Sequence, residues 1–512
     1  MAGPINAGSG RRAYWRFLYG SHIWIPVVDA DWSKGMIRDA PRAAIPPNGV
    51  YDASDFLFHQ PGIAIKRGGT AYAGPAMGAT TATKAVAYAE FPAAAKLVGV
   101  GSDNALYNIT AGATTALGGS TVTGGIVDRP KLRIGGGKNY LVFPCADGTT
   151  SPIIYDGSAA PGALGGTPPA GKFIEIYKTR LALAGKSGNE NRLYFSPTPD
   201  ISSTWDTTNS WIDCDYAITG LAALHNALLI FSQGHCERII GTTPPPGSDM
   251  DRAPVGDIGT TDARSIVVQE GNCLFANPRG VYLTNGAGFA SLTTEGQIET
   301  YWQSLLTSYD PSTWVIAAGI LRSYYFVTIT DNNGANVATL MCNVPRRAWW
   351  RLTNIDAQMF ASGVGKQDEL YYAPKSVGRV VKMSGIFTPT ASNKTDANGT
   401  AVAPMLETRA HSGGPGLKSY GDGQLSYDMR DAASDAPTIA VQFAAGMEAT
   451  TYRTAPESPF AATTDETKRQ WTTGIDSSAI SLKFTQAGPS AKTEIYAVEQ
   501  TERSHPAAAE GQ

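Results

Sequence analysis

The sequence predicts an all-β fold, and three observations carry that prediction. Glycine is abundant at 56 of 512 residues, and 22 Tyr and 10 Trp accompany it, a composition suited to short strands joined by tight turns. Strand-like runs of about four to eight residues recur with Gly, Asn or Asp between them. Each stretch of about 40 to 50 residues holds three or four such runs, the spacing of propeller blades. The expected architecture is therefore a β-propeller of about six to eight degenerate blades, with an irregular N-terminal arm before it and a C-terminal β-sandwich after it. The blades carry no WD ladder and no kelch double glycine, so a pair of β-sandwiches stays open as an alternative.

Residues 1-80 read as the arm. Pro46, Pro47, Asn48 and Gly49 punctuate it, and one distinctive stretch, Phe56 to Gly74, holds a short strand. The propeller is expected over 81-387. Val86 to Phe91, Leu97 to Val100 and Ala105 to Ile109 open it, followed by Tyr140 to Phe143 and Ile153 to Tyr155 before the Asp156-Gly157 turn. Arg180 to Ala184 and Arg192 to Ser196 flank a Gly/Asn-rich turn and read as a hairpin buried on at least one face. The same grammar returns at Gly220 to Ile240, at Ser265 to Val268, at Asn272 to Ala276, at Gly280 to Thr284 and at Phe289 to Leu292. Leu321 to Thr330 and Val337 to Val344 read as a hairpin around Asp331 to Gly334, and Phe360 to Gly363, Glu369 to Ala373 and Val377 to Met383 as a last set. One helix is expected over Thr294 to Leu306, with Thr294 as cap and Ile298, Trp302, Leu305 and Leu306 as its apolar side. Residues 388-403 are a polar linker. A β-sandwich over 404-503 follows, in which Leu425, Tyr427 and Met429 share one strand face and Ile480, Leu482 and Phe484 another. Thr438 to Phe443 and Glu494 to Glu499 add two strands, and 504-512 is a loose tail.

At this length two or three domains are expected. Hydrophobic residues form 42% of the chain and charged residues 17%, enough apolar surface to fold. The balance of 41 basic against 44 acidic residues leaves no excess for neutralising phosphates, which argues against a sequence-reading nucleic-acid binder. Arg11 and Arg12 have no apolar segment behind them, so no secretory signal is expected, and no apolar run reaches the roughly 18 residues of a membrane helix. Cys145, Cys214, Cys236, Cys273 and Cys342 are widely spaced, which predicts buried free thiols in a reducing cytoplasm.

Catalytic templates find little to hold. The histidines His22, His59, His225, His235, His411 and His505 lack metal-ligand spacing, although His235-Cys236 with Cys214 outlines a zinc corner on paper. Gly166 to Lys172 approaches a phosphate loop, but Phe173 stands where a hydroxyl is needed, and the runs Gly124-Gly125 and Gly135 to Gly137 read as turns. Asp213, Asp215, Glu237 and Arg238 are the candidates for glycoside chemistry, and Asp331 to Gly334 for a calcium loop that lacks its later ligands. Tyr14, Trp15, Phe17, Tyr19, Trp24, Trp205, Trp211, Trp349 and Trp350 are stacking candidates whose default role is packing. The expectation is no enzyme, no cofactor, no metal and no assigned binding residue.

The order of motifs resembles the tail-hub or nozzle proteins of short-tailed bacteriophages, also called packaged-DNA stabilisation proteins. The matching segments run in sequence. They are Pro61 to Gly69 (PGIAIKRGG), the hairpin Arg180 to Ser196, and the Asp-rich aromatic stretch Trp205 to Tyr216. Gly220 to Phe231 (GLAALHNALLIF) and Glu237 to Ile240 come next, then Gly259 to Ser265, a looser match because Ala263 falls one place late. Gly280 to Tyr282, Glu299 to Tyr301 and Ala348 to Leu352 close the series. The resemblance spans most of 56–385 and, more loosely, the C-terminal unit. It implies a homo-hexameric virion ring below the portal and adaptor, with tail-fibre or tail-tip proteins alongside. Genomic DNA would pass its channel without sequence-specific binding. A receptor-binding or glycan-cleaving propeller of the tail is the alternative.

Overall fold

The computed structural model describes residues 17–504 apart from 20, 21, 30, 61, 81, 135–138, 332–334, 363–368, 384, 391, 393, 412–417, 431–435, 447–449, 462–466 and 491. Tyr14, Trp15, Pro61, the Gly135 to Gly137 run, the Asn332 to Gly334 turn, His505 and the rest of the 504-512 tail beyond Ser504 therefore lie outside the described residues, as do the side chains of Phe17, Tyr19, His22 and Trp24.

Apolar runs that are continuous and not alternating belong to strands buried on both faces, and here they build seven antiparallel four-stranded units in succession. The first comprises Thr83–Glu90, Ala95–Gly101, Leu106–Ile109 and Thr114–Ala116, and the second Lys131–Arg133, Tyr140–Phe143, Ile153–Tyr155 and Gly162–Ala163. The third is Phe173–Tyr177, Arg180–Lys186, Asn189–Phe195 and Trp211–Asp213, and the fourth Gly220–Ala223, Leu228–Phe231, Cys236–Ile240 and Asp251–Gly256. The fifth is Val267–Gln269, Asn272–Asn277, Gly280–Thr284 and Phe289–Ser291, and the sixth Val315–Leu321, Tyr324–Thr330, Asn336–Asn343 and Ala348–Leu352. In the seventh, Ala357–Ser362, Leu370–Pro374 and Val381–Lys382 are completed by Ala71–Tyr72 from the N-terminal segment.

Alternation along each strand explains the stacking of these units. Ile174, Leu181, Leu183 and Tyr194 of the third unit share a core with Val142 of the second. The intervening Ala182, Ala184, Leu193 and Phe195 share another with Leu221 and Ile230 of the fourth. Ala222, Leu229 and Phe231 then face Cys273 and Phe275 of the fifth. Val315–Leu321 packs on Ala357–Ser362, and Ala357–Ser362 packs on Thr83–Glu90, so the series closes on its first member. This is the architecture of a β-propeller.

The remaining strands form two sheets around one shared apolar core. One, here the terminal sheet, runs Phe17–Tyr19, His22–Asp29, Lys492–Ser504, Lys418–Arg430 and Thr467–Ser477, with Phe56–Leu57 and Ala64–Lys66 at its side. The other continues the sixth unit. Asp52–Ser54 pairs parallel with Ala348–Leu352 and antiparallel with Met405–Glu407, which leads to Ile480–Ala487, Thr438–Ala445 and Arg453–Thr454. Tyr427 and Trp471 of the terminal sheet meet Phe484 of the other, and the rings of Trp471 and Phe484 lie 6.0 Å apart.

Several expectations shift in detail. The helix is two helices, Leu292–Glu295 and Glu299–Leu305, because Gln297 adopts φ 55° between them, and Ser291 is the cap whose hydroxyl accepts from Thr294 N. The run expected as one strand, Leu321 to Thr330, turns at Arg322, φ 55°, so Leu321 ends one strand and Tyr324 begins the next. Ser426, Asp428 and Ser481 are buried as well as their apolar neighbours, since those strands have elements on both sides. The five cysteines are buried and free. No helix among the described residues is long and apolar enough to cross a membrane.

Candidate functional site

The side chains singled out for chemistry are mostly kept apart by the strands that carry them. Cys214 faces the core between the third and fourth units, whereas Cys236 faces the core between the fourth and fifth, so the two thiols point to opposite sides of one sheet. Burial holds the Cys214 thiol up at about 12. His235 instead places Nδ1 3.0 Å from Asp257 Oδ1. Asp215 and Glu237 are bridged by Arg252, at 2.9 and 3.2 Å, and Asp213 pairs with Arg192 at 2.8 Å. Arg238 donates to the Gly286 carbonyl at 2.9 Å. Among the described residues no group of three or more His, Cys, Asp or Glu side chains is placed to hold a metal ion.

The other candidates are spent on structure. Gly166, φ 76°, lies so close to the Ser202-Ser203 backbone that a Cβ there would sit 1.9 Å from Ser203 O, and a strand follows it where a phosphate loop needs a helix. At the Asp331 turn, Oδ1 accepts from Ala335 N at 2.9 Å, as a hairpin requires. Trp349 and Trp350 are buried, and Trp349 Nε1 donates to Leu292 O at 2.9 Å. Trp205 is buried, with Nε1 donating to Ile201 O, and Trp211 lies under Arg192, whose Cζ is 3.7 Å from the ring centroid.

Two arginines to which sequence reading gives no role organise the molecule. Arg67 is fully buried. Its Nε donates to Asp55 Oδ1 at 2.6 Å, Nη1 and Nη2 each reach an Asp396 oxygen at 2.8 Å, and the Gly68 and Thr353 carbonyls take the remaining two protons. All five guanidinium donors are thereby satisfied. Asp396 also accepts from Thr70 N and Asn354 Nδ2. The polar stretch expected as a linker, 388-403, is thus anchored at Asp396, which is 4% exposed. Beside it Lys66 Nζ donates to Ser490 O at 2.7 Å, and burial, aided by repulsion from Arg67, lowers its pKa to about 8.

The second arginine stands at the axis of the propeller. Arg129 leaves the segment before Lys131–Arg133 of the second unit and donates from Nη2 to the Arg264 carbonyl at 2.6 Å and to the Ala318 carbonyl. Its acceptors belong to the fifth and sixth units, so the guanidinium crosses the axis. Around it Lys131 pairs with Glu175 at 2.7 Å and Arg264 with Asp262 at 2.8 Å. Asp128 accepts from Ile174 N and Arg129 N, and burial pushes its pKa up to about 6. A cavity of about 150 Å³ lies against Arg129, with Leu132, Val267, Ile320 and Phe360 among its walls. Sequence reading assigns neither arginine a role: Arg67 lies within the Pro61 to Gly69 segment but its partner Asp396 is far away along the chain, and Arg129 sits in no motif.

No protein-family model and no curated protein sequence matches the chain. Among solved structures, it is similar to BamB from Moraxella catarrhalis with TM-score 0.36 and 11% identity over 65% of this chain and 91% of that one. The similarity to BBS1N, crystallised in complex with ARL6DN, has TM-score 0.38 and 11% identity over 62% and 97%. The AfRom2 CNH domain gives 0.29 and 12% over 47% and 76%. The propeller architecture described above rests on the strand pairing and packing of this chain, independently of these partial overlaps.

Proposed function

We propose that the chain is a non-enzymatic structural subunit of a bacteriophage tail, one member of a hexameric nozzle or hub ring below the portal and adaptor. In this reading the ring encloses the DNA channel and retains packaged DNA until ejection. The seven four-stranded units are the blades of one seven-bladed propeller, and the two remaining sheets form a β-sandwich. The protein is made in the host cytoplasm and resides in the virion tail, without cofactor, touching portal and adaptor above and fibre or tip proteins alongside.

The observation that carries the reading is the buried joint at Arg67, which fastens the N-terminal segment, the sixth unit through Thr353 and the stretch before the C-terminal strands into one body. A part that confines DNA must pass force between its domains without hinging, and a fully satisfied buried ionic network does that. Some of the segments that resemble the nozzle family fall on central strands of the units, as at Arg180–Lys186, Leu228–Phe231 and Gly280–Thr284. Because Arg129 spans the propeller's own axis, the channel of this reading is the one between subunits. Closed rotational symmetry then requires two different complementary patches on each subunit.

Mass measurement of the purified chain at micromolar concentration, alone and with tail-deficient phage particles, tests this. Co-sedimentation with the particles in hexameric stoichiometry is expected. A chain that ignores the particles and depolymerises host glycan would overturn it in favour of the glycan-directed alternative, with the acids around Arg252 as the first place to look.

A further inference from the structure

We propose that the axial cavity of the propeller is a binding site for a small amphipathic carboxylate, a monoanion with an apolar body of about benzoate size, held by Arg129. The inference does not depend on the tail reading.

Arg129 is part-buried and incompletely satisfied. A guanidinium has five N–H donors. Two of them, both on Nη2, go to the Arg264 and Ala318 carbonyls. Nε is buried without a partner, and Nη1 has none among the described residues. Arg67, which is fully buried, uses all five and has two carboxylates. No carboxylate of the described residues forms an ion pair with Arg129. The acids nearby are committed elsewhere, Glu175 to Lys131 and Asp262 to Arg264, while Asp128 turns its oxygens to the backbone N–H groups of Ile174 and Arg129. A part-buried cation with unused donors is stabilised by an anion that brings acceptor oxygens, and charge-assisted bonds to such an anion are the strong ones.

The walls decide which anion. Leu132, Leu141, Val267, Ile320 and Phe360 line the cavity together with Tyr88, Lys131 and Ser362; Lys131 is paired with Glu175 and Ser362 Oγ donates to Ile320 O, so these polar groups leave few free donors for the oxygens of a phosphate or sulfate. A cavity of about 150 Å³ has room for a molecule of benzene's size. One carboxylate on such a body would meet Arg129 at one end and apolar side chains along its length, the combination by which ligand pockets gain both orientation and affinity.

The test uses the full chain with benzoate as probe, followed by calorimetry and by fluorine NMR of para-fluorobenzoate, with benzyl alcohol and inorganic phosphate as comparators. Saturable one-to-one binding of benzoate is expected, weakened roughly tenfold or more for benzyl alcohol and in Arg129→Met. Should Arg129→Met fail to fold, Ile320→Trp keeps the arginine and fills the apolar end, and the same loss is expected there. Absence of saturable benzoate binding would mean that the cavity holds water only. Equal affinity for benzyl alcohol, tighter binding of phosphate, or benzoate binding unchanged in Ile320→Trp would each overturn the assignment.

Discussion

Arg67 shows why a charged side chain at zero exposure can still be an asset to the fold. Removing it leaves Asp55 and Asp396 buried without a counter-ion, so Arg67→Ala is expected to destabilise the protein by about 3–5 kcal/mol. A lowered urea midpoint, with part of the loss restored when Asp55→Asn and Asp396→Asn accompany Arg67→Met, is the measurement. Lys66 behaves oppositely, because burial disfavours its charged form. Its folded pKa of about 8 lies below the ordinary 10.5, so between those values the unfolded chain binds more protons and stability rises with pH. The penalty is fully present at neutral pH, on the order of 3 kcal/mol. Thermal midpoints of the native chain should therefore climb between about pH 8 and 10 relative to Lys66→Met, whose profile should lack that rise. None of this is legible in sequence. Arg67 and Asp396 are 329 positions apart, and Arg129, followed by Pro130, reads locally as a turn.

At the level of elements, legibility follows the number of faces a strand buries. Arg180–Lys186 and Leu228–Phe231 are apolar throughout because each contributes alternate side chains to two different cores, and such runs stand out in any chain. Gly49–Val50, Asp52–Ser54, Phe56–Leu57, Ala64–Lys66 and Ala71–Tyr72 are only two or three residues long. Asp52–Ser54, Ala64–Lys66 and Ala71–Tyr72 pair with strands hundreds of residues distant, which is why the segment reads as an irregular arm. Ala71–Tyr72 matters most among them, as it supplies the outer strand of the seventh unit and Ala73 N donates to Val380 O at 2.9 Å. Ala73→Pro removes that donor. A loss of about 1–3 kcal/mol is expected, together with faster proteolysis near residue 73 under native conditions.

For the molecule as a whole, the N-terminal segment enters three sheets and the sixth unit runs on into a larger sheet, so the propeller and the remaining strands share one core. They are expected to unfold together. Tryptophan fluorescence and far-ultraviolet circular dichroism should give coincident denaturant transitions, and two separated transitions would show that the sheets are independent. The sequence places a polar linker at 388-403, but composition carries no information about threading.

The terminal sheet has one further consequence. Lys492–Ser504 lies between His22–Asp29 and Lys418–Arg430, pairing with both. The ribosome must therefore pass residue 502 before His22–Asp29, which pairs locally with Phe17–Tyr19, gains its second neighbour. Until then a nascent chain exposes unpaired edges to chaperones and proteases. Products that stop short would keep those edges, so the pairing of early and late strands sorts finished chains from broken ones before any assembly begins.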